Sequence, residues 1–140
     1  MTSVELKRDL VIVACAISAG IHGALVPAHF AETTGAGLGF VAATVLLAAL
    51  AVAVTLRPAS TLPTAGAAAV LAGLVVSYAL AVTTGLPLLH PDPEPVDGLA
   101  LATKAIELAG LLAATSLTLP ERKGTTTWTP QGLHARFPSS

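Results

Sequence analysis

The chain has 140 residues, of which 54% are hydrophobic and only 11% are charged, and its formal net charge at neutral pH is -1. Soluble domains carry about 25% charged residues, so this composition indicates a membrane protein. The near-zero net charge excludes the basic surface that a nucleic-acid-binding protein needs. A single Cys excludes a disulfide framework.

Four apolar segments follow one another, each close to the roughly 20 residues that cross a bilayer as a helix. They cover residues 10–28, 37–56, 64–86 and 98–119, and prolines mark most of their ends. Because only 4% of the residues are aromatic, helices are favoured over a barrel with aromatic girdles. We predict an all-α integral membrane four-helix bundle over residues 1–119, with the bilayer as its main partner, and a flexible cytoplasmic tail over 120–140.

The basic residues predict the orientation. Lys7 and Arg8 precede the first segment and Arg57 follows the second, whereas the loops after the first and third segments contain no Lys or Arg. Three more basic residues follow the fourth segment: Arg122, Lys123 and Arg136. Positive loops stay inside, so both termini are predicted to be cytoplasmic.

Small residues recur at four-residue spacing in three of the segments, a pattern that lets helix backbones approach closely. They are Ala16, Gly20 and Ala24 in the first, Ala69, Gly73 and Ser77 in the third, and Ala105, Ala109 and Ala113 in the fourth. We expect these faces to meet one another, or to contact a partner protein or a second copy of the chain. The second segment has almost no polar residues and is predicted to be the most exposed to lipid.

Three ionisable residues lie at membrane depth. His22 is about six residues, or roughly 9 Å, inside the outer end of its segment, and Lys104 and Glu107 lie at matching depths in the fourth segment. Charges at this depth are costly unless they are paired or hydrated. One interpretation is a self-neutralising Lys104–Glu107 pair, with His22 bonded to a backbone carbonyl. The other is a polar site shared by helices one and four.

The first segment also carries a polar stripe that Pro27 interrupts. Ser18, His22 and His29 lie on one face if the helix continues. Since Pro27 cannot donate to the carbonyl of Gly23, a kink or an end of the helix is predicted just beyond His22.

The outer side collects imidazoles and carboxylates. In the loop 86–97, four prolines alternate with polar residues in a stiff, extended arm, and Asp97 is placed to cap the fourth helix. Imidazole with carboxylate suits Zn, Cu(II) or Fe. The candidate metal ligands are His22, His29, His90, Glu32, Asp92, Glu94 and Glu107. A haem needs two histidines at similar depth on facing helices, which is a less favoured alternative.

The segments 19–30 (AGIHGALVPAHF) and 85–97 (GLPLLHPDPEPVD) resemble small four-span membrane proteins of GC-rich bacteria. The resemblance implies the same topology, and we expect the chain to lie in a bacterial cytoplasmic membrane. It implies no cofactor and no catalytic residue.

No catalytic arrangement of residues is apparent, which favours a non-enzymatic protein. The leading hypothesis is a divalent transition-metal site on the extracytoplasmic side, in an accessory or assembly subunit of a larger membrane complex. The first alternative is a purely structural accessory subunit. The second is a proton relay, or a haem- or quinone-associated subunit, that uses His22 and Glu107.

Overall fold

The computed structural model describes residues 1–86 and 93–119. These ranges form four α-helices: α1 (Ser3–Glu32), α2 (Thr34–Leu56), α3 (Thr61–Thr83) and α4 (Gly98–Thr118). Each helix is long and apolar enough to cross a membrane, which indicates a multi-pass membrane protein. The prediction of an all-helical chain with four apolar helices is confirmed. The predicted tail over 120–140 lies outside the described residues.

Side chains cap the first turns of α1, α2 and α4, whereas Ser60 makes no such hydrogen bond at the start of α3. Thr33 alone joins α1 to α2, and its Oγ1 accepts a hydrogen bond of 3.0 Å from the backbone N of Ala36. Asp97 is the predicted cap of α4, and its Oδ1 accepts from the backbone N of Ala100 at 2.8 Å. These bonds satisfy amide groups that have no partner within the helix.

Pro27 does not end α1, which continues to Glu32. Of the two outcomes predicted just beyond His22, a kink or a helix end, the helix end was therefore wrong. Proline removes one backbone hydrogen bond, but the flanking turns keep their own bonds and the helix persists. As a result His22, His29 and Glu32 all lie on one continuous helix.

Each of α1 and α3 packs mainly against α2 and α4, and α1 and α3 touch little. The core contains buried residues from all four helices, namely Val11, Cys15, Ala19, Leu47, Ala51, Val54, Ala67, Leu71, Ala113 and Ala114. The helix with the smallest buried share is α3 and not α2, in contrast to the prediction.

Most of the small residues at four-residue spacing do not form the helix contacts that we expected. Ala16, Gly20 and Ala24 are exposed on α1, as are Ala69, Gly73 and Ser77 on α3 and Ala105 on α4. The helices α1 and α4 instead approach closely at other small residues, because a Cβ added at Gly110 would stand 2.5 Å from the Cβ of Ala14. The reason is rotational: burying Ser18 and His22 turns the neighbouring small residues of α1 outward.

Candidate functional site

Two antiparallel helices place a group of polar side chains inside the molecule. Ser18 and His22 are one turn apart on α1, and Lys104 and Glu107 are one turn apart on α4. Residues three or four apart share one face of a helix, so each pair points in one direction. We call these four residues the polar network.

Glu107 is the centre of the polar network and is completely buried. Its Oε1 accepts a hydrogen bond of 2.7 Å from Ser18 Oγ on the facing helix. Its Oε2 accepts from Lys104 Nζ in a salt bridge. Both carboxylate oxygens therefore have a donor, which offsets the cost of burying the charge.

The hydrogen bonds of His22 fix its tautomer. Its Nδ1 lies 2.9 Å from the carbonyl oxygen of Ser18 and 3.3 Å from Ser18 Oγ. Since a carbonyl oxygen can only accept, Nδ1 carries the proton and the lone pair of the neutral ring is on Nε2. Nδ1 also lies 4.0 Å from Glu107 Oε1. The structure thus combines both interpretations of the sequence: Lys104 and Glu107 pair, His22 binds a carbonyl, and Ser18 connects the two helices.

Aromatic rings border the polar network on its outer side. The Phe40 ring stacks on His29 with 3.5 Å between ring centroids, and its centroid is 5.1 Å from that of His22. Lys104 Nζ lies 5.5 Å from the centroid of the Tyr78 ring, within the range of a cation–π interaction. The Tyr78 hydroxyl is buried and has no hydrogen-bond partner among the described residues.

A cavity of about 680 Å³ opens beside these rings. All four helices line it, at the end of the molecule where α1 and α3 end and α2 and α4 begin. Its walls are mostly apolar, and its ionisable lining residues are His22, His29, Glu32, Tyr78, Glu94, Asp97 and Lys104. The cavity therefore combines an apolar interior with a few polar groups.

The predicted metal ligands are only partly brought together. His22, His29, Glu32 and Glu94 line the cavity, and Glu107 lies behind its wall in the polar network. His90 and Asp92 lie outside the described residues. Within residues 1–86 and 93–119, no group of three or more His, Cys, Asp or Glu side chains is placed to hold a metal ion.

Sequence reasoning missed Phe40 and Tyr78. Both were detectable in principle, because they are the only aromatic residues in α2 and α3 of a chain that is 4% aromatic. An isolated aromatic residue in an aliphatic helix is more often a packing residue, so the sequence alone did not single them out.

No family model matches the chain, and comparison with curated proteins and with solved structures likewise gave no match. The function is therefore argued from the geometry of the site.

Proposed function

We propose that this membrane protein binds a small amphipathic organic molecule in the cavity among its four helices. The observation that carries the proposal is the cavity itself. Ligand sites typically enclose about 300–1,000 Å³, with apolar walls and a few polar groups that orient the ligand, and the cavity of about 680 Å³ has this character. The polar network supplies the orienting groups through His22 and Lys104.

We further propose that the cavity faces the extracytoplasmic side of a bacterial cytoplasmic membrane. Lys7, Arg8 and Arg57 lie at the opposite end of the helices, at the start of α1 and the end of α2. Basic residues favour the cytoplasmic side, which supports the prediction of cytoplasmic termini and of an outer end that carries Glu32 and Asp97. A ligand would enter from the outer leaflet or the external water.

The proposal is tested by filling the cavity. Gly39 lines the cavity, and a Cβ added there meets no atom within 4 Å, so we expect the larger side chain of Gly39→Leu to occupy ligand space. The matched control is Gly73→Leu, because an added Cβ at Gly73 also meets no atom within 4 Å and Gly73 does not line the cavity. Native mass spectrometry of the protein released from lipid nanodiscs should show a bound small molecule in the parent and in Gly73→Leu. Its loss is expected in Gly39→Leu; equal occupancy in all three, or none in the parent, contradicts the proposal.

A second candidate is the divalent transition-metal site, and one observation favours it. His22 and His29 each direct Nδ1 at the carbonyl oxygen four residues earlier, at 2.9 and 3.0 Å. Histidines that bind metal typically donate their other ring N–H in this way, which leaves Nε2 for the ion. A complete Zn, Cu(II) or Fe site would need further ligands, for which His90 and Asp92 stay predictions.

Elemental analysis and an absorption spectrum of the purified protein separate the candidates. Stoichiometric metal supports the metal site, and a Soret band supports haem. If a His22→Ala, His29→Ala, His90→Ala variant binds Zn and Cu(II) as tightly as the parent, these histidines are not ligands. The roles as an accessory subunit and as a homo-oligomer stay predictions of the sequence.

A further inference from the structure

We infer that the molecule bound in the cavity is an uncharged, lipophilic alcohol or phenol whose hydroxyl group donates a hydrogen bond to Nε2 of His22. This ligand class rests on the proposed binding function and makes it specific. His22 presents an acceptor to the cavity, and the charges beside that acceptor are already paired.

The acceptor is the second ring nitrogen of His22. Nδ1 keeps its proton in the hydrogen bond to the carbonyl oxygen of Ser18, so the lone pair of the neutral ring is on Nε2. Ser18 lies one turn before His22 on α1, whereas the cavity lies where α1 ends. Nδ1 therefore points away from the cavity, and Nε2, on the other side of the ring, points towards it.

This nitrogen lacks a donor from the protein. Within residues 1–86 and 93–119, the hydrogen bonds of the His22 ring all involve Nδ1. His22 lines the cavity and is only 7% exposed. An acceptor that is removed from bulk water and left without a donor costs free energy. A ligand that supplies the donor recovers this cost.

The other polar groups of the lining are less suited to hold the hydroxyl group. Among the described polar residues that line the cavity, only His22 and Thr103 are buried. Thr103 Oγ1 already donates to the carbonyl oxygen of Leu99 in its own helix. Glu32 and Asp97 are exposed, so water hydrates their carboxylates. The polar end of the ligand is therefore expected at His22, in the buried part of the cavity.

The ion pair next to His22 determines that this polar end is uncharged. Lys104 and Glu107 form a salt bridge and together carry no net charge. A charged ligand group at this depth would lack a counter-ion of its own, which is costly in apolar surroundings. A hydroxyl group is uncharged and both donates and accepts, so it also accepts from the Lys104 ammonium, which has three N–H groups. The apolar walls of the cavity surround the rest of the ligand.

Two matched probes test the hydrogen bond. para-Pentylphenol and its methyl ether share one skeleton, but only the phenol has a donor. Their affinities are measured by calorimetry on the protein in lipid nanodiscs, with a metal chelator in the buffer. The parent should prefer the phenol, and this preference should fall about fivefold in His22→Phe, as expected for the loss of one hydrogen bond. Comparing the preference between parent and variant cancels the partitioning of both probes into lipid.

Thr115→Val is the matched control. Like His22→Phe, it removes a side-chain hydrogen bond to the carbonyl oxygen four residues earlier, but Thr115 does not line the cavity, so the preference should stay the same. An equal preference in the parent and in His22→Phe overturns the inference. Should His22→Phe fail to fold, nitrogen-15 NMR of the parent replaces it. The Nε2 signal of His22 should then shift with the phenol and not with the ether, and an unchanged signal overturns the inference.

Charged probes test the absence of charge on the ligand. para-Pentylbenzoate and para-pentylbenzylammonium should bind at least about tenfold more weakly than the phenol. Binding of either charged probe as tight as that of the phenol refutes the uncharged class.

The cavity-filling variant Gly39→Leu separates the two possible failures. If no probe binds, or if Gly39→Leu binds the probes as well as the parent does, the proposed function fails and the ligand class fails with it. If Gly39→Leu abolishes binding but His22→Phe keeps the preference for the phenol, the ligand class alone fails.

Discussion

The close contact between α1 and α4 at Gly110 gives the sharpest stability prediction. In Gly110→Ala the new Cβ would lie 2.5 Å from the Cβ of Ala14, a separation that real Cβ atoms do not tolerate. Ala14 is 1% exposed and belongs to a packed helix, so it cannot rotate away. The two helices must move apart, which also strains the Ser18–Glu107 hydrogen bond one turn away.

The magnitude follows from two opposing effects. Replacing Gly by Ala within a helix stabilises by up to about 1 kcal/mol through backbone entropy. Overpacking a core by one methyl group typically costs about 1–3 kcal/mol. We therefore expect Gly110→Ala to lower the free energy of unfolding by about 1–2 kcal/mol. Ala14→Gly in the same chain removes the clash and should restore most of this loss.

The assay is unfolding in mixed micelles, with helix content followed by circular dichroism. Gly20→Ala is the matched control, since an added Cβ at Gly20 meets nothing within 4 Å, and it should be neutral or slightly stabilising. If Gly110→Ala is as stable as Gly20→Ala, or if Ala14→Gly gives no rescue, the close approach of α1 and α4 does not limit stability.

Two further predictions concern the membrane topology and the buried ion pair. In a Cys15→Ala background, Cys substituted at Thr34 should react with an impermeant thiol reagent in intact cells and Cys at Ser60 should not; the opposite pattern would invert the proposed topology. Glu107→Leu should destabilise by about 3–5 kcal/mol because it leaves the Lys104 ammonium without its partner, whereas adding Lys104→Met should recover most of that loss. If the double variant Glu107→Leu, Lys104→Met is as unstable as Glu107→Leu alone, the unpaired Lys104 ammonium is not the cause of the destabilisation.

Local chemistry determined much of what could be predicted from the sequence. The number and approximate extent of the helices follow from the length of the apolar segments, and the cap at Asp97 involves residues only three apart. The matched depths of His22, Lys104 and Glu107 also follow from the sequence, because antiparallel helices with a fixed rise bring equal depths together. These features depend on distances along the chain.

The tertiary structure decided how each helix is rotated about its axis. The spacing of small residues predicted that the face of α1 with Ala16 packs against other helices. In the structure, Ser18 Oγ donates to the buried carboxylate of Glu107, so Ser18 and His22 face inward. Ala16 is therefore exposed. The same rotation brings Phe40 beside His22 and opens the cavity. The backbone hydrogen bonds of a helix are the same for every rotation about its axis. The rotation is determined by the partners of the buried polar groups, and these partners are distant in the sequence.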